Sequence, residues 1–456
     1  MITLYPFQEE CICELDKLNG RALLALEMGL GKTIIVLEWL SRNPKSLPAL
    51  IVTPASVKYQ WDFEALHHTG MRASICEGQK PPRFNKQNFS LQSPLTLINY
   101  DILSYWLPYL QKLNFKTIIY DESSLLGNLK AKRTKSARVI SKNIPNIICL
   151  SGTPFENNLI QIFPMLNILW PKTYKSFWKF AQAHCNPKWT PWGWNYSGSS
   201  DLPKLNKELK DIGMIRRLKS DVMKDLPPKI RNVYPCELSD PAQYQEASTN
   251  FMDWLRKNMG HKVRSASKSE KLVQVGYLLR LSAKLKMRSV VNWANRFLEE
   301  TDEKLIMFAV HQKAIDVLKR RINAQSVVVN GSVTGRNRKV AVDQFQNDNK
   351  TRLFIGNIDA AGKGITLTAA STVGFAEIWW KPGAHIQAED RPHRIGQKKT
   401  VWINYLIAGE TLEEDLCKLL QKKQKVISAV LDGGPTPQDL NIYDELLSVL
   451  EEEAKK

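Results

Sequence analysis

Short β-rich apolar runs, each bounded by turn residues, recur along the first third of the chain: Ala49 to Thr53, Leu95 to Asn99, Thr117 to Tyr120 and Asn146 to Ser151. Helical patterns lie between them. A second series begins near Lys304 with LIMFAV and continues through SVVVN, TRLFIGN and TVGFAEIWW. Strands that alternate with helices predict parallel α/β sheets, and two such series predict two α/β domains. From roughly 156 to 290 the strand signal fades and the chain reads as helical. A length of 456 residues suits two or three domains at ~150 residues each. No internal repeat or low-complexity block interrupts this pattern.

Composition narrows the classes. With 43% hydrophobic and 24% charged residues and ordinary Gly and Pro usage, the chain reads as globular rather than disordered or collagen-like. No run of 18 apolar residues predicts a membrane span. The opening MITLYPFQEE lacks the basic and apolar regions of a secretory signal. Seven scattered cysteines, without paired spacing or a His/Cys cluster, argue against zinc and for reduced thiols in a cytosolic setting.

Charge changes the picture more. Lys and Arg number 64 against 45 Asp and Glu, a net +19. That surplus points to a polyanionic partner such as nucleic acid, although a surplus serving only solubility has the same composition. Residues 256–288 hold ten Lys or Arg against the single acid Glu270, either a solvated helix face or a phosphate-contacting surface. The last 25 residues reverse the balance, with seven acids against two lysines. Five of the thirteen tryptophans, at 170, 178, 189, 192 and 194, read first as packing of a helical protrusion, with stacking on bases the alternative.

Chemistry gathers first at Leu23 to Leu40, where LLAL meets EMGLGKT and a helical IIVLEWL follows. Strand, Gly-rich turn and helix are the context of a phosphate-binding loop. Gly29 and Gly31 let backbone N–H groups approach phosphate oxygens, and the helix start adds a favourable dipole. Lys32 would neutralise the β/γ-phosphates, and the Thr33 hydroxyl would hold Mg²⁺. Leu26 stands where the GxxxxGK[ST] pattern has its first Gly. The strand Ile118-Ile119-Tyr120 then ends in Asp121-Glu122. Carboxylates at the C-terminal edge of a parallel strand face the ligand crevice, so Asp121 would bind Mg²⁺ and Glu122 would polarise the attacking water. Ser151, Gly152 and Thr153, after the strand NIICL, could link the nucleotide site to a bound strand. Arg391 and Arg394 are three apart, a spacing that would put them on one side of a helical turn to stabilise γ-phosphate charge.

These segments together resemble the SNF2 family of superfamily 2 ATPases. LYPFQ at 4–8 looks like its adenine-reading Q motif with Gln8 as reader, and EMGLGKT resembles motif I, implying ATP contacts from Met28, Gly29, Leu30, Gly31, Lys32 and Thr33. VTPASVKYQW at 52–61 resembles motif Ia, YDESS motif II, LSGTPFENNL motif III and RRLKSDVMKDLPPK at 216–229 the inter-lobe segment. FAVH at 308–311 resembles motif IV, NIDAAGKGITLTAAS at 357–371 motif V, with Gly364 near ATP, and QAEDRPHRIGQ motif VI. Thr53, Pro54, Ser151, Gly152, Thr153, Trp380 and Gln387 fall at positions implied to couple hydrolysis to DNA. PWGWNYSGSS, FAEIWWKPG and INYLIAGETLEEDL are most similar to the fork-remodelling, annealing-helicase branch.

The resemblance implies an α/β fold of two RecA-like parallel-sheet lobes with a helical insertion. It divides the chain into lobe 1 (1–155), a helical protrusion and inter-lobe segment belonging to lobe 1 (156–236), a basic helical stretch (237–290), lobe 2 (291–431) and an acidic tail (432–456). The implied activity is ATP- and Mg²⁺-dependent translocation on duplex or forked DNA without sequence preference. The expected form is a minimal, monomeric, cytoplasmic protein of prokaryotic or phage type, with no membrane role. An RNA-directed helicase and a DNA-binding scaffold with an impaired ATP site are the rivals. Departures from the family pattern are Leu26, Ser124, Gly127, Asn357 and Asp359; Lys32, Asp121, Glu122, Arg391 and Arg394 are intact.

Overall fold

The computed structural model describes residues 4–79, 81, 93–155, 158–191, 193–196, 198–258, 265–333, 335–361, 364–418 and 420. Among these the chain forms two compact units that divide between Asp225 and Leu226. The acidic tail, Trp192 and part of the basic run lie outside the described residues.

In the first unit the chain lays down β1 (Arg21–Leu24), β2 (Ala49–Thr53), β3 (Ala73–Ile75), β4 (Leu95–Asn99), β5 (Thr117–Tyr120) and β6 (Asn146–Leu150). A hairpin of β7 (Lys188–Thr190) and β8 (Gly193–Asn195) and the short β9 (Met214–Ile215) follow. Seven of these form a wholly parallel sheet in the order β3-β4-β2-β5-β6-β1-β9. Every residue of β2, β4 and β5 is buried. Helices cover both faces of such a sheet, so its strands read as continuous apolar runs. One face packs Leu23, Leu50, Ile118 and Ile147 under the helix Phe163–Leu169, and the other packs Leu24, Ile51 and Ile148 under the helix Lys32–Arg42. All seven cysteines are free thiols.

The second unit contains β10 (Lys229–Cys236), β11 (Leu305–Ala309), β12 (Ser326–Val329), β13 (Leu353–Asn357), β14 (Thr372–Phe375) and β15 (Val401–Ala408). They form a six-stranded parallel sheet in the order β10-β15-β14-β11-β13-β12. The two RecA-like lobes are thus present as two separate parallel sheets.

The stretch 156–290 is not uniformly helical. It holds the β7–β8 hairpin, β9 at the edge of the first sheet, and β10, paired along its full length with β15. The division between the two compact units falls between Asp225 and Leu226, within the inter-lobe segment. All eight residues of β10 pair in register with β15 of the second sheet. The basic run also divides. Arg280, Lys284 and Arg288 on the helix Ser265–Glu300 are exposed, but Lys286 is fully buried, with its Nζ 2.6 Å from Glu413 Oε2 and donating to the Leu406 carbonyl. That lysine is a core ion pair, not a surface contact. No helix among the described residues is long and apolar enough to cross a membrane.

Candidate nucleotide site

Parallel pairing brings the C-terminal ends of β1, β2, β5 and β6 to one edge of the first sheet, where ligands of open α/β folds bind. The loop after β1 turns through Gly29 (φ +85°) and Gly31 (φ +79°), conformations that strain any residue bearing a Cβ. A Cβ on Gly31 would lie 2.5 Å from Gln8 Nε2, so a side chain there would also displace the Gln8 amide. The helix Lys32–Arg42 starts on Gly31 with no side-chain cap, and a helix start of this kind is where anions bind. Lys32 Nζ donates to the carbonyls of Leu26 (2.8 Å) and Glu27 (3.3 Å), folding the ammonium over the loop. Thr33 sits in the same first turn.

Gln8 is buried between the first helix and this loop. Its Nε2 donates to Leu30 O (3.2 Å) and its Oε1 accepts from Tyr5 N (3.0 Å), so the amide fastens Pro6–Lys17 to the phosphate loop. Met28 is buried, and a Cβ on Gly152 would come within 2.8 Å of its side chain, which puts the loop directly on the segment after β6. There Ser151 N donates to Leu24 O, and Ser151 Oγ accepts from Thr153 N. Ser123 Oγ donates to Leu150 O (3.1 Å), linking the ends of β5 and β6.

Asp121 closes the end of β5. Its Oδ2 accepts from Thr53 Oγ1 (3.0 Å) and Trp61 Nε1 (2.8 Å), and its Oδ1 accepts from the Glu122 N–H (3.0 Å). Tyr100 Oη donates to the Asp121 carbonyl (2.7 Å). Burial pushes the carboxyl above the usual range, against the pull of Trp61, Thr53 and the nearby Lys32 charge. Glu122 has φ +49°, a left-handed conformation that costs a non-glycine residue roughly 1–2 kcal/mol. Strain of this kind persists only where the surroundings impose it, and it concentrates at functional sites. Pro54 follows Thr53 and accepts from Val57 N, opening the turn that carries Trp61 towards Asp121.

Trp61 and Tyr100 were not singled out from sequence as site residues, and neither was the strand that braces the loop. Ala25 N donates to Ile215 O (2.9 Å), Glu27 N to Arg217 O (3.1 Å), Arg216 Nη1 to Ala25 O (2.7 Å) and Lys219 N to Glu27 Oε2 (2.7 Å). The first half of RRLKSDVMKDLPPK thus extends β9 alongside the phosphate loop. Trp61 closes the quoted segment VTPASVKYQW, so a polar-capable ring there was the available signal.

In the second unit, Arg391 and Arg394 follow the helix Pro382–Glu389 in a turn rather than on a helix. The turn still brings them together: both Nη1 atoms donate to Ile365 O (3.1 Å each). Arg391 is buried and also donates from Nε to Gln387 O; Arg394 is partly exposed and donates to Thr366 Oγ1 (2.7 Å). Gly364 (φ +67°) immediately precedes Ile365. Trp380 stacks on Trp379 with ring centroids 4.1 Å apart. Asn357, a departure from the family pattern, caps the turn after β13 by accepting from Asp359 N and Ala360 N.

The arginine turn rests on a buried charge cluster. Lys229 Nζ lies 2.8 Å from Asp390 Oδ1 and 3.1 Å from Glu389 Oε2, and Arg231 binds both Glu389 oxygens (2.8 and 2.7 Å). Tyr405 Oη donates to Glu389 Oε1 (2.7 Å). Burial alone would raise the Glu389 carboxyl, but Lys229, Arg231 and Tyr405 outweigh it and hold it down at about 2. A folded-state value below the ordinary one near 4.5 means stability that is present above pH 4.5 and lost as pH falls towards 2. Lys229→Met is therefore expected to cost about 3–5 kcal/mol at pH 7, because it strands buried carboxylates. In urea unfolding the deficit should narrow below pH 4.5; a pH-independent deficit would mean that packing, not charge, is lost.

A Gly-rich loop beside an acidic strand end, in the first of two parallel-sheet lobes, defines a P-loop α/β fold. A family model described as "SNF2-related domain" matches residues 8–306, and one described as "Helicase conserved C-terminal domain" matches 286–396. The chain belongs to the SNF2-related family. It is 33% identical over 427 residues to "SWI/SNF-related matrix-associated actin-dependent regulator of chromatin subfamily A-like protein 1" of Xenopus laevis, covering 93% of this chain and 44% of that protein. It is 33% identical over 447 residues to "DNA annealing helicase and endonuclease ZRANB3" of Homo sapiens, covering 94% of this chain and 40% of that one. The chain thus spans less than half the length of either relative. A solved structure, "Sulfolobus solfataricus SWI2/SNF2 ATPase core in complex with dsDNA", aligns at 24% identity and TM-score 0.44 over 95% of this chain and 94% of that chain.

Proposed function

We propose that this protein is a DNA-dependent ATPase that uses hydrolysis to move along duplex or forked DNA, remodelling or re-annealing junctions. The observation that carries the reading is Asp121: a buried carboxylate held by Thr53, Trp61 and a backbone N–H, close enough to Lys32 to feel its charge. That is the preorganised acid a phosphate site with a cation needs, and a structural ion pair would not call for three separate hydrogen-bond donors. The names of the two relatives, a chromatin regulator subfamily member and a DNA annealing helicase, and the +19 charge favour DNA as the track.

Among the described residues no group of three or more His, Cys, Asp or Glu could hold a metal by itself. Two protein oxygens, from Thr33 and Asp121, are what Mg²⁺ asks of a protein when substrate phosphates complete its shell. When bound, the ion would neutralise charge on the β- and γ-phosphates. The loop N–H groups and Lys32 would orient the triphosphate, and Glu122 would accept a proton from the attacking water at its carboxylate. Gln8, Met28 and Leu30 would border the nucleotide. Arg391, Arg394 and Gly364 would contribute from the second lobe, and Pro54, Ser151, Gly152, Thr153, Trp380 and Gln387 would couple nucleotide state to the DNA strand. Ser123, tying β5 to β6, would link the acidic strand end to the segment that carries Ser151.

The test is ATP hydrolysis with single-stranded, duplex and forked DNA and with RNA, followed by ATP-driven annealing on a fork. Stimulation by duplex or fork above RNA, lost progressively with salt, is the expected result. Greater stimulation by RNA, or efficient unwinding of a tailed duplex without fork preference, would replace this reading with that of an RNA-directed or unwinding helicase.

A further inference from the structure

The tryptophan-rich insertion does not behave as packing alone. Trp170 is buried in the lobe 1 core, but Trp189 and Trp194 are 67% and 44% exposed. They face each other across the hairpin, Trp189 opposite Trp194 in register, with ring centroids 5.3 Å apart. Trp178, from the helix Phe177–His184, meets Trp194 at 4.6 Å, so three indoles form a continuous row. The row is anchored from beneath: Tyr196 packs edge-on against Phe177 at 5.1 Å, and Phe177 against the buried Phe163 at 5.5 Å. An edge-to-face pair contributes up to about 1 kcal/mol to a short hairpin and uses one face of a ring. It does not account for leaving two of the largest apolar side chains in water.

Charge indicates what covers them. Between residues 157 and 200 there is no Asp or Glu, while Lys172, Lys175, Lys179 and Lys188 are all exposed. Lys179 and Lys188 directly follow and precede Trp178 and Trp189 in the chain. Two exposed indoles and a half-buried third, in a stretch that carries ammonium groups and no carboxylate of its own, match the two parts of an unpaired nucleotide, a flat base and an anionic phosphate. A paired duplex hides its base faces, so the complementary ligand is single-stranded.

We propose that Trp189, Trp194 and Trp178 form a stacking platform for unpaired nucleotides of a DNA strand, separate from the phosphate contacts expected of a duplex track. The proposal rests on the DNA-translocase reading and adds to it a site for the open strand of a fork. Stacking tolerates any base, so the platform recognises the unpaired state rather than sequence.

The experiment uses the full chain with fluorescein-labelled short oligothymidylate, a blunt duplex and a fork bearing one unpaired arm. Trp189→Ala and Trp194→Ala should each weaken oligothymidylate and fork binding roughly 5- to 150-fold, the range of one lost base stack. Trp189→Phe should restore most of it. Blunt-duplex affinity and duplex-stimulated hydrolysis should change less than about 2-fold, because phosphate contacts carry them. Tight duplex binding with unchanged single-strand affinity in both alanine variants overturns this proposal alone. Equal weakening on blunt duplex, or a hairpin whose indole fluorescence ignores oligothymidylate, also overturns it, the latter in favour of a protein-docking face. An unaltered chain that binds no DNA overturns the translocase reading itself.

Discussion

Lys32→Ala is expected to abolish measurable hydrolysis and to weaken ATP binding, while Glu122→Gln should retain ATP and block turnover. The two substitutions separate binding from chemistry. Lys32 begins the helix on which phosphate would rest, and its Nζ lies over the loop carbonyls of Leu26 and Glu27. An incoming triphosphate would exchange those neutral acceptors for anionic ones, so the alanine variant loses charge-assisted bonds that the resting loop does not need. The fold should survive, since neither carbonyl depends on Lys32 alone for a partner in water. Glu122→Gln preserves shape and removes the proton acceptor, a change worth roughly 10²–10⁴ in rate. Its left-handed backbone is held by neighbours such as Leu125, whose N–H donates to Glu122 O, and should remain. Single-turnover hydrolysis with a fluorescent nucleotide distinguishes the cases. Near-normal DNA-stimulated turnover in either variant would show that the chemistry lies elsewhere.

Much of this arrangement is legible in the chain because its parts are local. Gly29 to Thr33 and Asp121-Glu122 are contiguous groups at the ends of buried strands, and burial on two faces makes those strands conspicuous. The sheet edges are another matter. In β10 the sequence KIRNVYPC leaves six consecutive residues exposed, and what makes it a strand is its ladder with β15, 172 residues away, as well as the Lys229 and Arg231 ion pairs. No period in eight residues announces that. β9 is two residues long and gains its role by extending alongside the phosphate loop. The same limit hid Trp61. Its bond to Asp121 spans 60 residues of sequence, and only the packing of the helix Lys58–Thr69 on the sheet brings the two together.

The tryptophans show the opposite failure, in which a compositional cluster is one feature in sequence and two in space. Trp170 belongs to the core, whereas Trp189 and Trp194 sit on a hairpin too short to bury them. Spacing cannot separate these fates, because the hairpin reverses the chain within five residues of either ring.

The arginine pair yields the second large effect, and the structure divides it unequally. Arg394→Ala should lower kcat by roughly 10³ if this side chain meets transferring phosphate charge, with the melting temperature nearly unchanged. Arg391→Ala should lower kcat comparably and also destabilise the lobe. Arg391 is buried, and its removal takes the side-chain donor from the Gln387 carbonyl, at about 1–3 kcal/mol if that group is left unsatisfied, while the Ile365 carbonyl keeps its bond from Arg394. Arg394 is partly exposed, and the Thr366 hydroxyl it binds can turn to water. Arg394→Lys makes the decisive control: it keeps the charge and loses the planar fork, so little activity should return if two-point phosphate contact is the role. Steady-state hydrolysis, thermal melting and duplex-binding titrations on the three variants give separate readouts. Collapse of DNA affinity with basal hydrolysis intact would make these arginines strand contacts, and the phosphate charge would then have to be met by other cations of the site, with Lys32 the first to examine.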